Sequence, residues 1–235
     1  MRSLLWLAMA SFATPEDELP RTPDAAAAST TPPHTPDGTE AWTQPRKLRG
    51  KPPLRIITWN VWFDHRRQKE RLKLLLALLA KENADVIGLQ EVTTEVAARI
   101  RQHAGVTARY DISENDISAY GCLLLVRREL NPAFAELPLP TTMGRSLVAA
   151  ELDTYGHAGT RRRVVGTVHL ESLDTERTRA AQLRQISVVE GLDVLCGDFN
   201  FDDVVTWGEW RQPARKRPVS ALENKVLSRA LPDFV

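Results

Sequence analysis

Four short polar groups in this chain have residue types suited to a phosphate ester. They are Trp59-Asn60, Gln90-Glu91, His169-Leu170-Glu171-Ser172 and Asp198-Phe199-Asn200. Each closes a run of β-forming residues. Taken singly, each has an ordinary explanation: Asn as a turn residue, Glu as a surface or capping carboxylate, His as a satisfied core residue, Asp as a cap. Together they make a working set. Magnesium takes hard oxygen ligands and keeps several waters, so one or two carboxylates plus a substrate phosphate are enough. Glu91 is the main expected ligand, helped by Asn60. Asp198 suits the activation or positioning of an attacking water. Asn200, two residues on, is expected to project to the same side and donate an amide hydrogen bond to a phosphoryl oxygen. His169 would stabilise negative charge developing on the phosphate. No Cys/His cluster has zinc-ligand spacing, which favours Mg²⁺ or Mn²⁺.

The elements that must position these groups alternate between strand and helix. Leu54–Asn60 reads as a strand, and residues 66–82 as a helix whose Leu72, Leu75, Leu76, Leu79 and Ala80 fall at helical spacing, with Asn83 as its stop. Asp85–Glu91 is a second strand, followed by a helix around Glu95–His103. Strands are expected near Gly121–Arg127 and Ser146–Leu152, then a polar turn over Thr154–Arg162 that holds Arg161, Arg162 and Arg163 in solvent. Arg163–Leu170 reads as a central strand, Arg177–Glu190 as a helix and Leu192–Cys196 as the next strand. The fold class is therefore α/β, with polar residues repeatedly delivered at strand C-terminal ends, where sites in such folds gather.

Composition sets the outer limits. The formal net charge of +1 excludes a protein that grips nucleic acid by bulk charge, but leaves room for a local basic groove. No apolar run approaches the ~20 residues needed to span a bilayer, so no stable membrane association is expected. Residues 1–13 have the make-up of a minimal secretory signal, with secretion as the alternative location. The apolar stretch is short and carries one basic residue, so the segment is read as a flexible start. Residues 1–50, rich in Pro, Thr and Ala, lack apolar periodicity and should form a disordered tail before a domain over 54–235. Cys122 and Cys196 are expected to be buried free thiols in a reducing, intracellular setting, nucleus or cytoplasm. The tryptophans Trp207 and Trp210 precede Arg211, Arg215, Lys216 and Arg217 in a candidate substrate-side loop.

Thr58-Trp59-Asn60, Leu89-Gln90-Glu91-Val92, His169-Leu170-Glu171-Ser172 and Gly197-Asp198-Phe199-Asn200 occur in the order seen in the endonuclease/exonuclease/phosphatase superfamily. The His-Leu-Glu-Ser segment resembles the 5′-tyrosyl-DNA phosphodiesterase branch. The resemblance implies a two-sheet β-sandwich flanked by helices (α/β/β/α) and Mg²⁺-dependent hydrolysis of phosphodiesters. It implies tyrosyl-linked DNA 5′ ends as partners, in DNA repair, and a monomer. By family role, Asn60 and Glu91 lie near metal, Asp198 and Asn200 at the nucleophile and phosphate, and His169 and Ser172 along the substrate path. Two departures stand against a direct copy. Asp202 occupies a position where that branch commonly has a basic residue, which shifts the expected phosphate clamp to residues such as Arg145. The superfamily's closing Ser-Asp-His does not occur before Val235, so the domain is expected to lack its C-terminal strands and to turn over weakly. The alternatives are a same-fold phosphoesterase acting on RNA, abasic DNA, or lipid or inositol phosphates, and a non-catalytic nucleic-acid-binding domain.

Overall fold

A computed structural model of the chain describes residues 54–156, 159–173 and 175–201. The expected tail over 1–50, the Trp207–Arg217 segment and the chain's end lie outside these residues.

The first half builds one sheet. Strand β1 (Ile56–Asn60) runs through helix α1 (Gln68–Glu82) into the parallel strand β2 (Val86–Thr93). Two short helices follow, α2 (Thr94–Gln102) and α3 (Ala104–Thr107). Strands β3 (Tyr110–Ile112) and β4 (Tyr120–Arg127) then pair antiparallel, giving the order β1-β2-β4-β3. The second half repeats the plan in mirror order. Strands β5 (Ala133–Pro138), β6 (Ser146–Gly156) and β7 (Gly159–His169) form an antiparallel meander. Helix α4 (Glu176–Ser187) then returns the chain to β8 (Leu192–Asp198), parallel to β7.

The expected α/β sandwich is thus present as two mixed four-stranded sheets with helices on their outer faces. Helix α1 buries Leu72, Leu75, Leu76, Leu79 and Ala80 against the first sheet. It stops at Asn83, whose left-handed backbone returns its N–H to the Leu79 carbonyl at 3.0 Å. Helix α4 buries Ala180, Leu183 and Ile186 on the second sheet. Between the sheets lies a separate core of Val86, Leu124, Val126, Val148, Ala150, Leu152 and Val165.

The sheets meet most tightly at Gly88, where an added Cβ would stand 2.6 Å from the Thr167 hydroxyl. The same level carries a polar staple. Gln90, buried at 1% exposure, shares its two Nε2 hydrogens among the Gly88 carbonyl, the Thr58 hydroxyl and, across the sandwich, the Thr167 hydroxyl at 2.9 Å. Glycine at 88 is required by this approach, and the glutamine, itself buried, finds its polar partners in these groups.

Two sequence expectations need correction. The polar stretch Thr154–Arg162 is not one long turn, because β6 extends to Gly156 and β7 begins at Gly159. Arg161, Arg162 and Arg163 consequently lie on a strand. Arg162 pairs with Glu151 and Asp153, and Arg163 with Asp193 at 2.6 Å. Opposite charges facing across a ladder stabilise a strand even where its sequence is polar. Strands β3 and β5 were not foreseen. The first is three residues long, and the second reads Ala-Phe-Ala-Glu-Leu-Pro, a weak alternation on a sheet edge.

Candidate metal and phosphate site

The two parallel pairs, β1/β2 and β7/β8, face each other across the sandwich and end at the same side. That arrangement assembles the four sequence groups. Glu91 Oε1 and Asp198 Oδ2 both accept from the Asn60 amide nitrogen at 2.9 Å. The Glu91 and Asp198 carboxylates and the His169 imidazole offer ligand atoms within 4.8 Å of one another.

Each carboxylate is aimed by a backbone irregularity. Glu91 sits at φ 56° inside β2, where the register against β4 shifts between Leu89 and Val92. A bulge of this kind re-aims a side chain that a regular strand would send elsewhere. Its Oε2 also accepts the Phe63 N–H at 3.1 Å. Asp198 follows Gly197, whose φ of 141° and closeness to the Val168 carbonyl (1.9 Å from an ideal Cβ) admit only glycine. Beyond the strand, Asn200 adopts φ 54° and turns its N–H back onto Asp198 Oδ1 at 3.0 Å. Asn200 therefore does not share a strand face with Asp198 as the two-residue spacing implied. Its amide nitrogen donates to the Leu170 carbonyl at 2.8 Å and to Ser172 Oγ at 3.1 Å.

His169 is 2% exposed, with Nε2 3.9 Å from Glu91 Oε1 and 3.7 Å from Asp198 Oδ2. Its Nδ1 lies 2.9 Å from Arg145 Nη1. A guanidinium can only donate, so Nδ1 accepts and the ring's proton sits on Nε2, facing the carboxylates. Burial, and then the adjacent Arg145 charge, push the imidazole down to about 4, so it is neutral at pH 7. His169 accordingly offers a hydrogen-bond donor here.

Arg145, the expected phosphate clamp, is 4% exposed and bonds to neighbouring side chains of the site. Besides His169 it reaches Ser172 Oγ at 3.0 Å, while the Tyr120 ring packs 5.2 Å from its guanidinium. Phe63 also stacks on that ring, with centroids 4.8 Å apart. Ser172 Oγ accepts from both Arg145 and Asn200, which leaves its own hydroxyl proton to donate.

Tyr120, Phe63 and the loop that steadies Glu171 are not marked by any motif. That glutamate is fully buried and accepts from the Thr141 and Thr142 hydroxyls, both at 2.5 Å, and from the Thr142 N–H at 2.8 Å. Burial pushes its carboxyl up, but these bonds and the Arg145 charge outweigh it and hold the group below the usual range. Phe63 stands three residues past Asn60 but reads as an ordinary apolar residue, and Tyr120, Thr141 and Thr142 are far from every motif, so no local signal marks them.

A divalent cation fits the donor set. Glu91 and Asp198 are mostly buried, His169 beside them is neutral, and no Lys or Arg pairs with either carboxylate among the described residues. Two near-neighbour carboxylates without a counter-charge call for a cation. Glu91 and Asp198 are the groups that would hold it. Asn60 Oδ1, the atom expected at the metal, accepts the Trp62 N–H at 2.9 Å and retains its second lone pair. The Asn60 amide nitrogen spaces the two carboxylates.

The model of the Endonuclease/Exonuclease/phosphatase family matches residues 57–222. The chain belongs to this family. Among solved structures it resembles a humanized D. rerio tyrosyl-DNA phosphodiesterase 2 (TDP2) at 26% identity and TM-score 0.55, covering 64% of this chain and 63% of that one. It also resembles D. rerio TDP2 complexed with single-strand DNA product, at 25% identity and TM-score 0.54, covering 64% and 62%. Truncated Caenorhabditis elegans TDP2, at 24% identity and TM-score 0.55, covering 64% and 63%, shares the fold. The chain thus spans a little under two thirds of the length of these structures. No curated protein matches it in sequence. No helix among the described residues is long and apolar enough to cross a membrane.

Proposed function

We propose that this chain is a metal-dependent phosphodiesterase that hydrolyses phosphodiester bonds at DNA ends, with 5′-phosphotyrosyl ends as its substrate. The observation that carries the reading is the pair of uncompensated carboxylates, Glu91 and Asp198, spaced by Asn60 and facing the His169 Nε2–H. Mg²⁺, or Mn²⁺ in its place, would be held by Glu91 and Asp198 and would supply charge neutralisation for the phosphoryl group. The similarity to a TDP2 complexed with single-strand DNA product supports a DNA substrate.

In this reading the chain's own groups divide the work. Asp198 Oδ accepts a proton from the attacking water as the oxygen approaches phosphorus. The His169 Nε2–H donates to a phosphoryl oxygen as its charge grows, and Arg145 keeps the ring in that tautomer from behind. The Ser172 hydroxyl donates to the phosphate, held by Arg145 and Asn200. The water oxygen bonds to phosphorus as the P–O bond to the tyrosyl oxygen breaks; the phenolate leaves and takes a proton from solvent, and the DNA keeps a 5′-phosphate. Both Asn200 amide hydrogens are already engaged, so its part is to fix Ser172 and, through its backbone N–H, Asp198. A DNA substrate would place the reaction in nucleus or cytoplasm, the reducing setting that suits the free thiols Cys122 and Cys196. A domain over 54–235 acting as a monomer is consistent with this reading.

The decisive experiment offers the chain, with Mg²⁺, a 5′-phosphotyrosyl oligonucleotide beside RNA, abasic DNA, and inositol and lipid phosphates. Release of tyrosine with Mg²⁺ and none with EDTA supports the proposal. Preferential hydrolysis of another member of the panel overturns the substrate. No hydrolysis of any member overturns the enzyme.

A further inference from the structure

The loop from β1 to α1 has features the hydrolytic site does not use. Trp62 and Phe63 are 41% and 44% exposed, so two adjacent large aromatics of this loop face solvent. They are fixed in place. The Trp62 N–H is bonded to Asn60 Oδ1 and the Phe63 N–H to Glu91 Oε2, so the loop backbone is stitched directly onto the carboxylate cluster. Arg71 tethers the loop further, donating to the carbonyls of Val61 and Asp64. Its guanidinium covers the Trp62 ring at 4.7 Å. Phe63 lies flat on Tyr120, at an interplanar angle of 11°. The Trp62 and Phe63 rings are thus each held by one face and left partly open.

The same segment is basic. Arg66, Arg67, Lys69 and Lys73 are all exposed, and none takes part in an ion pair among the described residues. Glu70 and Asp64, whose carboxylate accepts the Arg66 N–H at 2.6 Å, offset only part of this charge. A net charge near zero for the whole chain therefore conceals a local positive strip beside the site.

Rigid open aromatic faces interleaved with unpaired cations recognise one polymer well: a single strand, whose bases stack while its phosphates meet the charges. A membrane would be met by a broad apolar face. These rings instead stand at the mouth of the carboxylate cluster, where a phosphate entering the cluster passes them. We propose that the β1–α1 loop and the first turn of α1 form a track for single-stranded polynucleotide. Bases stack on Trp62 and Phe63, and phosphates pair with Arg66, Arg67 and Lys69. The inference rests on the phosphodiesterase reading, because it supposes that the strand's phosphate is the one delivered to Glu91 and Asp198.

The test is binding, measured in EDTA so that turnover does not enter. Fluorescence anisotropy with a labelled oligo-dT strand is recorded across a salt series for the full chain and its variants. Arg66→Glu with Lys69→Glu should weaken binding and lower the slope of log affinity against log salt by about 1.4, at ~0.7 per lost phosphate contact. Lys81→Glu with Arg184→Glu makes the same charge change elsewhere and should leave affinity and slope as in the wild type. Trp62→Ala should weaken oligo-dT binding about 5- to 150-fold and leave binding to an abasic strand unchanged. Trp62→Phe, which keeps an aromatic face, should restore most of the loss, and this separates stacking from misfolding. Equal losses in the two charge pairs, or equal losses of Trp62→Ala on both strands, would overturn the track. So would wild-type binding to phosphatidylserine vesicles without binding to the strand. Absent phosphodiester turnover would sink the catalytic reading and leave this binding result standing.

Discussion

Replacing Glu91 with Gln should make the metal-free protein more stable while removing its chemistry. The two carboxylates lie within 4.8 Å of each other, at 14% and 12% side-chain exposure, without a cationic partner among the described residues. At that separation and an effective dielectric of ~20, their gross repulsion is about 3 kcal/mol. Part of this is offset by the Asn60 amide and the Phe63 and Asn200 N–H groups, which all donate to the pair. Glutamine keeps the shape and removes one charge, but its amide nitrogen must face either the Asn60 or the Phe63 donor, and the lost bond costs about 1 kcal/mol. A net gain of about 1 kcal/mol is expected in EDTA, which corresponds to a rise in Tm of roughly 2–4 °C for a domain of this size. Saturating Mg²⁺ should reverse the order. At 100 times its dissociation constant a ligand specific for the native state adds about 2.7 kcal/mol, which the wild type gains and the variant loses. The assay is a pair of thermal melts, with EDTA and with Mg²⁺, run beside hydrolysis of the phosphotyrosyl oligonucleotide. A variant less stable than wild type in EDTA and equally stabilised by Mg²⁺ would refute the claim that these carboxylates wait for a cation.

Other consequences follow from single contacts. His169→Gln should lower kcat on the order of 10²–10³-fold, because it removes a fixed donor to the phosphoryl oxygen; single-turnover kinetics with saturating Mg²⁺ will measure it. Gly197→Ala should cost about 3 kcal/mol or more, since its methyl would overlap the Val168 carbonyl; chemical denaturation reads the loss directly. Thr167→Val removes an acceptor from Gln90 across the sheets and should cost about 1–3 kcal/mol with little change in the denaturant m-value. Burial pushes the Cys122 thiol up to about 12, so native protein should resist iodoacetamide at pH 8 at this position and be modified only after denaturation, as mass spectrometry would show.

The strands and helices that carry the motifs could be read from periodicity. The five apolar positions of α1 predicted the face it buries, and Asn83 its end, because both signals are local. Recognition of Gly197-Asp198-Phe199-Asn200 depended on three earlier motifs standing in order, and the structure explains the dependence. Those groups meet only because two parallel strand pairs end at the same side of a sandwich. The directions of the side chains were not legible. Glu91 points into the site through a bulge at positive φ, and Asn200 leaves the strand face and turns back on Asp198. Nor did the sequence show that Asn60 spaces the carboxylates, that Arg145 fixes the His169 tautomer, or that Phe63, Tyr120 and Arg145 form one stack. The reach of periodicity explains the division. It reports which face of an element is apolar and where the element stops. Bulges, left-handed residues and contacts between distant segments are settled by the packing of one sheet on the other, and in this protein they decide what each polar group does.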